Sequence, residues 1–203
     1  VEVYLGVSVN EVVISGSTAV ANNSTCRWVR GLSSSVTVNK LTLRGVLTNV
    51  AGYGTVLDTI TINSIDLDQH VSGVTTPGRE LSGTAVIKSG IAKTNVFGTT
   101  TNATAQNSIS LPVPDGASVT MEIRANGKDG TDDYQITREH GFGASAGAAT
   151  LRGSFPRLVN RSGGATGWDA AAVASGANAV LQFTGAVGKT VTHKGTVTVS
   201  WGL

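Results

Sequence analysis

The sequence predicts an all-β protein, and three observations carry that prediction. Apolar and polar residues alternate over short runs, no stretch sustains a helical period, and glycine, of which there are 26, punctuates the runs together with Asn, Ser and Thr. Alternation puts one set of side chains on one face of a sheet. β-Branched residues favour strands, while Gly, Asn and Ser supply the turns between them. Many short strands joined by glycine-rich turns point to antiparallel β-sandwich or jelly-roll architecture. A chain of 203 residues forms one large or two small domains of this kind and buries a real core. The expected division is an N-terminal β domain over residues 1–92, serving attachment or oligomerisation, and a C-terminal β-sandwich over 93–203.

The N-terminal half carries an internal match. Val36-Thr37-Val38-Asn39-Lys40-Leu41-Thr42-Leu43 and Ile60-Thr61-Ile62-Asn63-Ser64-Ile65-Asp66-Leu67 agree position for position at an offset of 24, and Val12-Val13-Ile14 lies a further 24 upstream. Both long segments change the parity of their apolar positions just after the Asn, as a bulge or bend requires. A fixed period of this size is the mark of a solenoid, here a short parallel β-helix. Two antiparallel strands of a sandwich that share an Asn bend give the same pattern. The Thr/Asn/Ala/Gly-rich stretch 88–110 separates the halves, and Leu111-Pro112-Val113-Pro114-Asp115-Gly116 makes an extended lead-in and turn.

Beyond it the strand signal is clearer. Val119, Met121, Ile123 and Ala125 alternate with polar residues, as do Ala179, Leu181 and Phe183, and Val197, Val199 and Trp201. Asn126-Gly127, Asp129-Gly130 and Ser162-Gly163-Gly164 are turn signals. The Ala-rich run Trp168 to Ala174 is read as a strand. Trp168 and Trp201 are expected as core anchors, because an indole fills the volume that small neighbours leave.

Composition excludes several classes of function. A formal charge of +2 without a Lys/Arg run neither steers nor tracks a polyanion, so no nucleic-acid partner is expected. No apolar run approaches the roughly 20 residues of a membrane span, and no signal-peptide pattern opens the chain, whose first residue, Val1, reads as Met removal or a trimmed precursor. The single cysteine, Cys26, has no internal disulfide partner, which suits assembly in a reducing cytoplasm.

Motifs that carry chemistry are sparse. Gly188-Lys189-Thr190 suggests a phosphate loop, but the first P-loop glycine is replaced by Phe183 and a strand pattern follows, so a tight turn is expected. Asp66, Asp68 and His70 alternate along one strand, which points three potential ligands the same way; a charged solvent face or subunit contact looks identical. Asp129, Asp132 and Asp133 lack calcium-loop spacing and read as a solvated loop. Gly143-Ala144-Ser145-Ala146-Gly147 matches the nucleophile-elbow pattern without the strand before it or the helix after it, and is expected as a small-residue hairpin. His70, His140 and His193 form no metal-binding array. No catalytic, cofactor or metal residue is therefore assigned, and the chain is expected to be no enzyme. Trp28, flanked by Arg27 and Arg30 in a non-repetitive loop, is the candidate for surface recognition or a subunit contact.

The landmarks after Asp115 keep a fixed order: Val119 to Ala125, a charged loop into Tyr134, Gly147 to Ser154, Gly167-Trp168-Asp169, Ala179 to Gly185, Gly188 to Val191 and Gly195 to Trp201. This order resembles the C-terminal β-domain of tail-fibre and virion-surface structural proteins of tailed bacteriophages, over about the last half of the chain. The chain departs from that pattern where Thr192-His193 stands in place of a Trp, which implies a thinner core there or Trp201 filling the space. The resemblance implies a structural protein on the virion exterior, assembled in the host cytoplasm: a capsid decoration (cement) or head-fibre protein. The alternative is a tail-fibre receptor-binding module that recognises host surface glycans. It also implies a homotrimer, with the major capsid protein or tail proteins as partners. In a protein made inside bacteria the sequons at Asn23, Asn102 and Asn160 carry no meaning.

Overall fold

In the computed structural model of the protein, which describes residues 3–20, 25–31, 33, 35–48, 53–72, 79–80 and 85–202, the chain forms strands throughout. A 3-10 turn at Gly163–Ala165 is present, and no α-helix occurs among the described residues. The all-β class read from the sequence holds.

The first six strands alternate between two sheets. β1 (Val3–Leu5), β3 (Thr25–Gly31) and β5 (Tyr53–Asp58) pair in parallel in one; β2 (Val9–Val20), β4 (Thr37–Thr48) and β6 (Thr61–Ser72) pair in parallel in the other. The N-terminal half is therefore a short parallel β-helix, and the antiparallel-sandwich reading of it is corrected. In-register coils stack like on like: Val9, Val38, Ile62 and Ile87 form one column, and Leu43 and Leu67 stand in another with Ile14 and Ala92. Burying each aliphatic side chain in such a column contributes about 1.5–3 kcal/mol. The change of parity is real. Val36, Val38, Leu41 and Leu43 are buried, as are Ile60, Ile62, Ile65 and Leu67, so the strand bends between the second and third of each set. At the bend the asparagines form a ladder. Asn39 Nδ2 donates to Asn10 Oδ1 (2.8 Å) and Asn63 Nδ2 to Asn39 Oδ1 (2.7 Å). The ladder corrects the expected repeat: the first coil takes 29 residues and the second 24, so Val12 aligns with Leu41, not with Val36.

After β7 (Arg79–Glu80) and β8 (Val86–Ile87), β9 (Gly90–Thr100) pairs in parallel with β6 on one side. On its other side it pairs antiparallel with β16 (Val191–Gly202) along its whole length. From there β11 (Ser118–Lys128), β12 (Asp133–Ser145) and β13 (Ala148–Arg161) extend the sheet by antiparallel pairing, and β13 is its free edge. The facing sheet runs β14 (Asp169–Ser175), β15 (Asn178–Thr184), β10 (Gln106–Pro112), β7. The C-terminal part is thus an antiparallel sandwich, and the run after Trp168 is a strand, as read. Trp168 and Trp201 are buried in the core; Trp201 Nε1 donates to Pro112 O across the two sheets (2.9 Å). No helix is long and apolar enough to cross a membrane among the described residues.

Three variants test this packing. Asn39→Ala removes both links of the ladder and is expected to lower unfolding stability by about 1–2 kcal/mol in urea titrations; an unchanged midpoint would deny the ladder a stabilising role. Trp168→Ala or Trp201→Ala is expected to cost about 3–5 kcal/mol, a large share of a domain's stability. Near-wild-type melting in either would contradict its place in the core.

Candidate functional site

The sandwich strands β16, β11, β12 and β13 turn their polar positions outward. Antiparallel register brings Lys194, Asn126, Gln135 and Asn160 side by side, one from each strand. A second row, Thr192, Lys128 and Asp133, continues to Ser162, whose main-chain N–H donates to Asp133 O (2.9 Å). Strands lie about 4.8 Å apart, so each row spans roughly 14 Å, with about 7 Å between rows. These residues line a groove of about 790 Å³ together with Gly127, Tyr134 and Arg161. That is within the roughly 300–1,000 Å³ usual for ligand sites. The groove offers three amides, two ammonium groups, two hydroxyls, one carboxylate and the Arg161 guanidinium. Each amide both donates and accepts, which matches the vicinal hydroxyls of a sugar.

Beneath this floor lies a polar cluster that was not legible in the sequence. His193 is fully buried; its Nδ1 is 2.8 Å from the Tyr134 hydroxyl and its Nε2 2.8 Å from Thr100 Oγ1. A neutral imidazole donates at one nitrogen and accepts at the other, and both hydroxyls answer either role. Its ring stacks on Phe183 at 4.7 Å. The two residues opposite His193 are Gly98 and Gly127. A Cβ at Gly127 would run into Tyr134 and His193, and one at Gly98 into Phe183. Asn126-Gly127, read as a turn, is therefore strand, and its glycine makes room for the Tyr134 ring. The core at His193 is filled by Phe183 and Tyr134, not by Trp201 at the far end of the strand. Burial pushes the His193 imidazole down to about 4, and burial with the Arg138 charge pushes His140 down to about 4. Burial, and then the charge of Asp169, raises the Tyr134 phenol above its usual range.

The groove is braced at one end. Lys189 pairs with Asp129 (2.8 Å) and Asp132 (3.5 Å), and Asp132 Oδ1 accepts from Ser162 Oγ (2.9 Å) and Gly164 N (3.1 Å). The loop read as solvated is tied down, and the Lys189 contact holds Asp129 down to about 2. Gly188 has a φ of 75° in the tight turn expected there. Arg161 donates to Trp168 O (2.8 Å) and joins Arg138 in clamping Asp169.

The other sequence candidates are not drawn together. Ser145 is exposed at the hairpin between β12 and β13, where Ala146 and Gly147 take φ of 53° and 75°, as the hairpin reading expects. Asp66 pairs with Arg44 (2.7 Å), and Asp68 stands opposite Arg44 and Lys93. The side chain of His70 lies outside the described residues, as do those of Arg27, Trp28 and Arg30; the latter three sit on strand β3, not in a loop. The groove residues escaped the sequence reading because outward polar positions of a strand resemble ordinary solvent face. Their one signal is a cluster of amides and lysines at matching parity in adjacent strands.

No protein-family model matches the chain, and no curated protein matches it. Among solved structures it is similar to the tailspike protein of Acinetobacter baumannii phage AM24, at 8% identity and a TM-score of 0.35, over 97% of this chain and 51% of that one. It is also similar to tailspike gp49 of Acinetobacter baumannii bacteriophage Fri1, described as a capsular polysaccharide depolymerase (10%, TM-score 0.29, 94% and 45%). A third is the Acinetobacter phage vB_ApiP_P1 tailspike (12%, TM-score 0.25, 96% and 47%). The chain spans about half the length of each. The Fri1 description overturns the expectation of a chain that is no enzyme. That expectation rested on nucleophile elbows, phosphate loops and metal sets, and catalytic carboxylates brought together by a fold leave no such linear motif.

The buried imidazoles make stability depend on pH. Unfolded histidines take a proton near 6.5, but folded His140 and His193 only near 4. Their contribution is complete above pH 6.5 and lost as pH falls toward 4. The melting temperature is expected to drop across that window, and the His193→Gln variant to show a shallower drop. Parallel pH profiles for the two proteins would remove His193 as a cause.

Proposed function

We propose that the protein is a phage tail or virion-surface module that binds host surface glycans through the groove on the outer face of its sandwich. The observation that carries this reading is the cross-strand row Lys194, Asn126, Gln135, Asn160, which presents three amides, each a donor and an acceptor, side by side on a four-stranded floor. The order of landmarks after Asp115 supports the virion-surface setting. The capsid-decoration reading draws on the resemblance alone, whereas the glycan reading also draws on the side chains of the groove. The proposal retains the homotrimer. Leu151, Phe155, Leu158 and Val159 are exposed along β13, a 14-residue free edge, and such edges are normally covered. Adjacent virion proteins are its remaining partners, and the virion exterior is its location.

The purified chain, titrated with capsular polysaccharides and lipopolysaccharides from a panel of bacterial strains, is expected to bind a subset at micromolar strength and to sediment as three chains. Asn126→Ala with Gln135→Ala is expected to weaken binding about tenfold or more at unchanged melting temperature. The same samples, assayed for new reducing ends, read whether the bound glycan is also cut. Binding that survives both substitutions would move the site elsewhere.

A further inference from the structure

We infer that the groove selects glycans bearing negative charge, with a carboxylate or phosphate substituent seated between Lys128 and Lys194. The inference rests on the glycan-binding reading above and adds the charge of the ligand to it. Most cations near an acid are already paired: Lys40 with Glu11, Arg44 with Asp66, Arg124 with Glu122, Arg138 and Arg161 with Asp169, Arg157 with Glu139, Lys189 with Asp129. Lys128 and Lys194 are exposed and make no ion pair among the described residues. Their strands are hydrogen-bonded neighbours, with Lys194 opposite Asn126 and Lys128 opposite Thr192. That places the two lysines on a diagonal of the sheet, roughly 7–8 Å apart at the backbone and on the same face.

Like charges so placed repel, and an anion between them relieves the repulsion while gaining two charge-assisted hydrogen bonds. Asp133, opposite Lys128 on the neighbouring strand, is the one acid in the lining, and the Arg161 charge is taken up by Asp169, which leaves Lys194 and the outer side of Lys128 for the anion. The remaining floor is amide and hydroxyl, which addresses the neutral part of a sugar. A nucleic acid fits less well. The one aromatic in the lining, Tyr134, is buried with its hydroxyl on His193, so no exposed ring offers a base a stacking surface. Two unpaired lysines also fall short of the run of phosphate contacts on which such binding depends.

The test uses the whole 203-residue chain on an array of bacterial polysaccharides that includes neutral, uronic-acid-bearing and phosphate-bearing members. Binding is expected only to the charged members, weakening about tenfold between 50 and 500 mM salt. The double variant Lys128→Gln/Lys194→Gln is expected to lose about tenfold or more in affinity at unchanged melting temperature. Lys88→Gln, which removes an exposed lysine elsewhere, is expected to change nothing. Carbodiimide reduction of the carboxyl groups, or enzymatic removal of the phosphates, identifies which anion is read, because only one treatment abolishes binding to a given hit. Neutral members bound as tightly as charged ones, with loss on Asn126→Ala/Gln135→Ala, would overturn the charge selection and leave the glycan reading standing. No polysaccharide bound at all would overturn both.

Discussion

The whole architecture depends on one strand satisfying two different partners. A β-strand offers hydrogen-bonding groups along both edges, and an unpaired edge invites uncontrolled association. β9 gives one edge to β6 in parallel and the other to β16 in antiparallel pairing, so the last coil of the solenoid is covered by the first strand of the sandwich. The transition is marked at Gly90, whose φ of 117° suits glycine and where a Cβ would strike the main chain of Ile65. In the facing sheet β10 does the same, parallel to β7 and antiparallel to β15. One apolar core consequently runs from Val38 and Ile62 in the coils to Val197 and Phe183 in the sandwich.

The groove inherits its rigidity from that core through strand alternation. Thr192 and Lys194 face outward on either side of His193, Asn126 and Lys128 on either side of Gly127, Asp133 and Gln135 on either side of Tyr134. His193 and Tyr134 belong to the hydrogen-bonded cluster with Thr100, and Gly127 leaves the space in which their rings meet. The main chain that carries Thr192, Lys194, Asp133 and Gln135 is therefore held by hydrogen bonds one residue away on the opposite face. A site supported in this way keeps its geometry without a ligand, which reduces the ordering cost of binding.

Alternation and turn chemistry made the sandwich legible. Val119 to Ala125, Ala179 to Phe183 and Val197 to Trp201 are strands with the faces read for them. The solenoid was half legible: the 24-residue match of Asn39 and Asn63 was visible, but the 29-residue first coil hid Asn10, because extra loop residues shift the number without shifting the stack. Asn126-Gly127 misled, since the dipeptide that favours a hairpin also appears wherever a buried ring needs a neighbour without a side chain. The groove itself was not legible. It consists of residues far apart in the chain, Asn126, Gln135, Asn160 and Lys194, that only the register between strands brings into line.

A flat floor of amides and lysines sets the kind of affinity such a site can reach. Hydrogen bonds to a sugar replace hydrogen bonds to water, so each contributes only about 0.5–1.5 kcal/mol net. Exposed charges add little more, and salt screens them. No deep apolar pocket lies among the groove's lining residues to raise that sum. Strength must come from repetition: from several sugar units along the two rows, and, in the proposed homotrimer, from several grooves meeting one polymer. A second site on the same polymer binds at an effective concentration that multiplies weak individual contacts. A repeating surface glycan supplies that repetition and an isolated monosaccharide does not, which is why a shallow, rigid and polar groove fits a polymer better than a small metabolite.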